Sequence, residues 1–394
     1  MYKALRNDMH KKMFIFGFTI FSMFFGSGNL VFPLQIGVAT GSHWWVGFLG
    51  LFLTGIILPF LGLFVIKLHH GNYLAFFGEA GKIAKWLLPL FILSLLGSFG
   101  VVPRCIAVAH GGISYIYPEV SLIAFSVVFC GLCYLICLKD EWMVSILGKW
   151  LTPLKLIALS VLIGTGIYCA TGLPAPSQTS IESFWTGFSN GYQMMDLFAA
   201  FFFSAVIFQQ IQKLLPNEMA SADNRTVLKM ALGSSLVGAS ILSIIYLFFV
   251  YLGAYFQDVA ANVSPELILP SIATHLLGEQ ATLIIATLIL FSCISTSVAL
   301  TNVYARYLCT LFKAPKTLYP FILFMTMLVA FSVSLLDFTG ISAFLGPILE
   351  KTYPSLILLT ILSICSRKHR VLKKVVFYGL LALMILEGYI AGMI

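Results

Sequence analysis

The chain has 394 residues, of which 60% are hydrophobic and only 10% charged, and its 23 Lys and Arg against 15 Asp and Glu leave a formal charge of +8. With a mean hydropathy of +0.98, it carries more apolar surface than a water-soluble core can hide, so a soluble fold is excluded and an all-α integral membrane protein is expected. The positive charge calls for no nucleic-acid partner, because loop Lys and Arg set membrane topology and draw the chain to anionic headgroups.

A bilayer core about 30 Å thick needs roughly 20 apolar residues per helical pass. Eleven runs of that kind follow one another: 12 to 38, 43 to 68, 86 to 108, 119 to 138, 149 to 171, 188 to 212, 227 to 256, 280 to 305, 317 to 336, 339 to 366 and 372 to 393. A transmembrane barrel would show alternating segments of about ten residues instead. The first run is too long for the h-region of a cleavable signal peptide and lacks a small-residue cleavage site, so it is expected to stay in the membrane.

That first run carries FFGSGNLVFP, Phe24 to Pro33, at its centre. Gly26, Ser27 and Gly28 are poor helix formers. Unwinding there would free backbone groups at mid-membrane depth, which lipid tolerates only along a cavity. In such broken helices a half-helix N-terminus can meet a substrate carboxylate while freed carbonyls hold a cation. The competing reading is a small-residue helix contact without a break. In the fourth run Cys130, Cys133 and Cys137 share one face and read as small packing residues.

An inverted five-helix repeat would place a second break in the sixth run. That run opens FSNGYQMMDLFAAFFF, with Gly191 and an intramembrane Asp196. A carboxylate there binds a cation, a proton or a polar substrate group, or else caps a freed amide. The eighth run contains FSCISTSVALT, in which Ser292, Ser295, Thr296 and Ser297 offer the oxygens a hard cation asks for. Bonds from these hydroxyls back to the i−4 carbonyl are the plainer alternative.

With the N-terminus inside, every Lys and Arg except Arg104, Lys155 and Lys351 falls in a cytoplasmic segment, and the C-terminus lies outside. This requires 339 to 366 to be one pass kinked at Pro354. All six tryptophans fall at span ends, as interfacial belts do. Among the remaining charges, Arg104 reads as a vestibule gate or headgroup contact, Glu350 with Lys351 as a pair at the kink, and Glu387 as a polar helix contact. No cytoplasmic loop is long enough for a soluble catalytic or nucleotide-binding domain, and the acids are isolated. A secondary transporter without a cofactor is therefore expected rather than a pump or a membrane enzyme.

GSGNLVFP, the Gly41 to Trp45 hairpin GSHWW, VVPR at 101 to 104 and FSNGYQMMD at 188 to 196 resemble the bacterial branched-chain amino acid:cation symporters, from about residue 12 to 370. The resemblance implies the amino acid/polyamine/organocation superfamily fold, a five-plus-five inverted repeat with helices one and six broken. The repeats would run 12–171 and 188–366, with an extra helix at 372–393. It further implies a single transporter domain in the bacterial inner membrane, taking up leucine, isoleucine and valine with Na⁺ or H⁺, and no protein partner. Matched residue by residue, substrate contacts fall on Gly26, Ser27, Gly28, Asn29, Gly191 and Asp196. A cation would sit between carbonyls near Ser22 and Phe25, the Ser292 carbonyl, and the hydroxyls of Ser295 and Thr296.

Two departures accompany the resemblance: typical members have a twelfth helix, and position 194 is Met where Thr is more usual. One methylene changes affinity by about 1 to 3 kcal/mol, so the residues leave open which apolar amino acid is preferred, methionine included. A carrier or exchanger for another amino acid, or a membrane transferase, stays as an alternative.

Overall fold

A computed structural model of the chain describes all residues except 1, 139–150, 173, 176, 215–223, 367–368 and 392–394. Among the described residues there is no strand. The main helices are α1 (Tyr2–Phe24), α2 (Ser27–Thr40), α3 (Trp44–Leu68), α4 (Ala84–Ser114), α5 (Leu122–Leu138), α6 (Leu151–Cys169), α7 (Ser180–Gln193), α8 (Asp196–Leu214), α9 (Asn224–Tyr255), α10 (Ile268–Leu277), α11 (Glu279–Leu311), α12 (Tyr319–Ser334), α13 (Asp337–Cys365) and α14 (Arg370–Ala391). Each of the eleven expected runs falls on a helix or a bent helix pair, and among the described residues nine of these, each bent pair counted once, are long and apolar enough to cross a membrane.

Both expected breaks are present. The pair α1 and α2 bends by 74°, and α7 and α8 by 43°. Gly26 takes an extended backbone (φ −121°, ψ −155°) between α1 and α2. Its N–H, which an unbroken helix would give to Ser22, goes instead to Asn29 Oδ1 at 3.0 Å, so the residue that follows the glycines caps the new helix. The sixth pass breaks at Met195, whose φ of 61° is left-handed and uncommon for a side chain of this size. It begins at Ser180, earlier than the apolar run suggests, because Thr179 and Glu182 form a capping box ahead of it. The tenth pass is a single helix with Pro347 and Pro354 inside it. Lys67, assigned by sequence to a cytoplasmic segment, is instead buried on the last turn of α3, donating to the Ala231 carbonyl at 2.7 Å and to Ser235.

The packing pattern fits the expected repeat. The two halves of pass one, α1 and α2, pack on α9, the seventh pass; the two halves of pass six, α7 and α8, pack on α3, the second. Exchanging the repeats turns one set into the other. Each crossing is made on glycines. In the first, a Cβ added to Gly37 would lie 2.0 Å from the Val250 carbonyl oxygen, and one on Gly253 2.1 Å from that of Leu34. In the second, Gly50 and Gly187 would bring Cβ atoms to 2.2 Å from Phe184 O and 1.8 Å from Gly47 O. Backbone meets backbone in both, as intramembrane interfaces with small residues allow. α4 packs along α11, the third pass on the eighth. Two π turns, Leu53–Ile57 in α3 and Leu95–Phe99 in α4, lie beside the breaks, where such bulges tend to mark function.

Candidate functional site

The two breaks face each other. A Cβ on Gly28 would come 3.2 Å from the Cα of Met194, and one on Gly26 would strike Thr296 Oγ1 at 2.8 Å. The unwound part of pass one is therefore wedged between the break of pass six and the hydroxyl-rich turn of α11. A narrow space between them is lined by Gly26, Ser27, Gly28, Asn29, Asp196 and Thr296, with Phe24, Leu96, Ala199 and Phe203 as apolar walls.

Asn29 ties the breaks together. Its Oδ1 accepts the Gly26 N–H, and its Nδ2 donates to Asp196 Oδ2 at 2.8 Å and to the Tyr246 hydroxyl. Tyr246, on α9, donates in turn to Asp196 Oδ2 at 3.1 Å. Asp196 is 3% exposed and opens α8, where the positive end of the helix dipole favours its charge. Two hydrogen bonds on one oxygen and the dipole act against the cost of burying its charge.

The expected cation set is also gathered by the fold. Ser22 and Phe25 lie on either side of the end of α1 and are buried; Ser292, Ser295 and Thr296 lie buried on α11, which packs on α1. Ser295 Oγ donates to the Ser292 carbonyl at 2.8 Å, whereas the hydroxyls of Ser292, Thr296 and Ser297 are buried and have no hydrogen-bond partner among the described residues. An unexpected member, Lys155 of α6, reaches Ser295 Oγ with its Nζ at 3.0 Å. Sequence gave Lys155 no role because it lies near the start of an apolar run.

Other expectations are placed differently. Gly191 lies within α7, outside the cavity lining, and is a close-approach residue: a Cβ there would meet Thr54 Oγ1 at 1.9 Å. The break falls at Met194–Met195 instead, so the cavity wall at this point is Met194. Arg104 is fully buried, which rules out a headgroup contact. Its Nη2 donates to Gln193 Oε1 at 2.7 Å and its Nη1 to the Gln193 carbonyl, and the guanidinium lies 5.3 Å from the Phe32 ring centre. It thus joins α4 to the end of α7 at the cavity edge. Tyr353 of α13 lies across the second break, its ring 4.6 Å from Tyr192 and 4.4 Å from Phe198, centre to centre. Glu350 and Glu387 are exposed on their helices.

Comparison with known proteins agrees with this geometry. Residues 9–393 match the family described as branched-chain amino acid transport protein. The branched-chain amino acid permease BraB of Bacillus subtilis is 26% identical over 367 residues, covering 91% of this chain and 80% of the permease. A putative branched-chain amino acid carrier protein of Staphylococcus saprophyticus is 26% identical over 383 residues, covering 91% of this chain and 83% of the carrier. In fold, the chain is similar to Mhp1, a nucleobase-cation-symport-1 family transporter in a closed conformation with bromovinylhydantoin bound (TM-score 0.63, 13% identity, 88% of this chain and 77% of Mhp1). It is also similar to a manganese transporter of Eremococcus coleocola (TM-score 0.53, 12% identity, 93% of this chain and 86% of that one). The chain is a multi-pass membrane transporter rather than an enzyme, and it belongs to the branched-chain amino acid transport protein family.

Proposed function

We propose that the chain takes up branched-chain amino acids across the bacterial inner membrane by symport with a cation, Na⁺ or H⁺, through alternating access. The observation that carries this reading is the meeting of two broken helices around one cavity with a buried carboxylate at its edge. The substrate carboxylate meets the N-terminal amides of α2 at Ser27 and Gly28, where orphan donors and the helix dipole both favour an anion. The substrate ammonium meets Asp196, whose Oδ1 makes no hydrogen bond within the described residues, and the negative end of α7. Phe24, Leu96, Ala199 and Phe203 receive the apolar side chain. Occupancy by a zwitterion satisfies both half-helix ends at once, which gives the ligand a differential affinity for the closed state and so a means to shift the conformational equilibrium.

The relatives named for branched-chain amino acids support this substrate class. The test is uptake of labelled leucine by proteoliposomes of the purified chain under Na⁺ and proton gradients, with isoleucine, valine, methionine and alanine as competitors. Gradient-driven uptake blocked by the branched-chain set is expected. Uptake of leucine under neither gradient overturns the reading, and block by methionine alone moves it to a different apolar amino acid.

A further inference from the structure

The hydroxyl-rich turn of α11 faces α1 and α6, and α6 brings to it a lysine that no sequence motif announced. Lys155 is 1% exposed. Its ammonium donates to Ser295 Oγ at 3.0 Å, and the Ser295 hydroxyl in turn donates a hydrogen bond to the Ser292 carbonyl. These two residues are members of the set that would hold a cation between α1 and α11. No carboxylate pairs with Lys155 among the described residues; the titratable groups that face it are the thiols of Cys293 on α11 and Cys105 on α4. A buried ammonium without an anion is costly unless oxygen acceptors surround it. The neighbouring hydroxyls of Ser292 and Thr296 are buried and unpaired among the described residues, and hydroxyl oxygens are acceptors.

We propose that the Lys155 ammonium is a tethered cation standing where a sodium ion would otherwise bind, so that this transporter works without Na⁺ at the α1–α11 position. An ammonium and Na⁺ both carry one positive charge and both take oxygen ligands, and at contact distance in a low-dielectric interior they exclude each other. Within the transport reading, the proposal narrows the coupling ion. Its test, however, needs no substrate.

Thermal unfolding of the detergent-purified full chain is followed in NaCl and in choline chloride at equal ionic strength. Any ligand that binds only the folded state raises Tm with its concentration. The wild-type chain is expected to unfold at the same temperature in both salts. Lys155→Ala, with the site vacated, is expected to gain a Tm rise specific to Na⁺. A Na⁺-specific rise in the wild type overturns the proposal, and so does a Lys155→Ala variant that folds but is indifferent to Na⁺. If the alanine variant does not fold, Lys155→Met keeps the aliphatic packing without the charge and is read in the same way. Should neither fold, leucine uptake by the wild type decides. Equal rates in Na⁺ and choline support a tethered cation. An apparent leucine affinity raised by Na⁺ by roughly 5- to 150-fold, the usual range for two coupled ligands, overturns it. Absence of leucine uptake in every medium strikes the substrate assignment instead, and leaves the wild-type unfolding result to decide the role of Lys155.

Discussion

Asn29 uses both ends of one amide on two different helix breaks, and this sets what single substitutions can do. In Asp196→Asn the new side-chain oxygen can still accept from Asn29 and Tyr246, so folding and insertion are expected to survive. What is lost is the charge facing the substrate ammonium. A hydrogen bond to a charged group is worth about 1.5 to 3 kcal/mol, so leucine uptake should fall by roughly 10- to 100-fold with little change in Tm. Uptake at the wild-type rate would remove Asp196 from the site. Asn29 and Asp196 were legible in the sequence because polar groups in apolar runs are rare. Tyr246 was not, being one of 16 tyrosines in a chain rich in aromatics, and its role exists only through a contact 50 residues away with Asp196. Lys155 stood out as one of three basic residues outside the cytoplasmic segments, but its contact with Ser295, 140 residues away, was not legible.

At the level of helices, spans and breaks were readable because apolar length and Gly-Ser-Gly are local signals. The positions of the glycines were equally visible, but not what they touch. Gly191 illustrates the limit: it stands in the right motif yet contacts Thr54, while the backbone turns at Met195, a residue with no turn propensity that is held there by surrounding structure. The glycine crossings α2–α9 and α7–α3 yield a paired prediction. A methyl group on Gly253 or Gly187 meets a carbonyl oxygen of the facing helix rather than a flexible side chain, so the helices must move apart. Gly253→Ala and Gly187→Ala should each destabilise the chain by about 1 to 3 kcal/mol, the usual cost of overpacking, seen as a lower Tm and an aggregated fraction on size-exclusion chromatography. Gly131→Ala, which has open space around it, is the control and should change neither. An unchanged Tm in both crossing variants would mean that the helices do not approach this closely.

Across the whole molecule, one acid fastens the last helix to the rest. Glu79, between α3 and α4, accepts from Lys373 of α14 at 2.7 Å, from Ser363 of α13 and from His69 at 3.3 Å. Burial alone would raise its pKa, but the hydrogen bonds of His69, Lys373 and Ser363 and the charge of Lys373 outweigh it and hold the carboxyl down at about 2. Since the folded value lies below the ordinary one of 4.5, the stabilisation is fully present above that range and fades as pH falls towards about 2. Glu79→Gln should therefore lower Tm at neutral pH and flatten the decline of Tm with acidification. A variant with the wild-type acid profile would show that Glu79 does not carry this dependence. Packing of α14 on α13 then makes the same helix a neighbour of the segment that holds Tyr353. That ring is tilted against Tyr192 on one side of the second break and stacked on Phe198 on the other, so a change in the bend must disturb at least one of the two contacts. The molecule thus contains its own angle gauge, a single aromatic ring whose surroundings register how far the sixth pass has opened, whatever ligand is or is not bound.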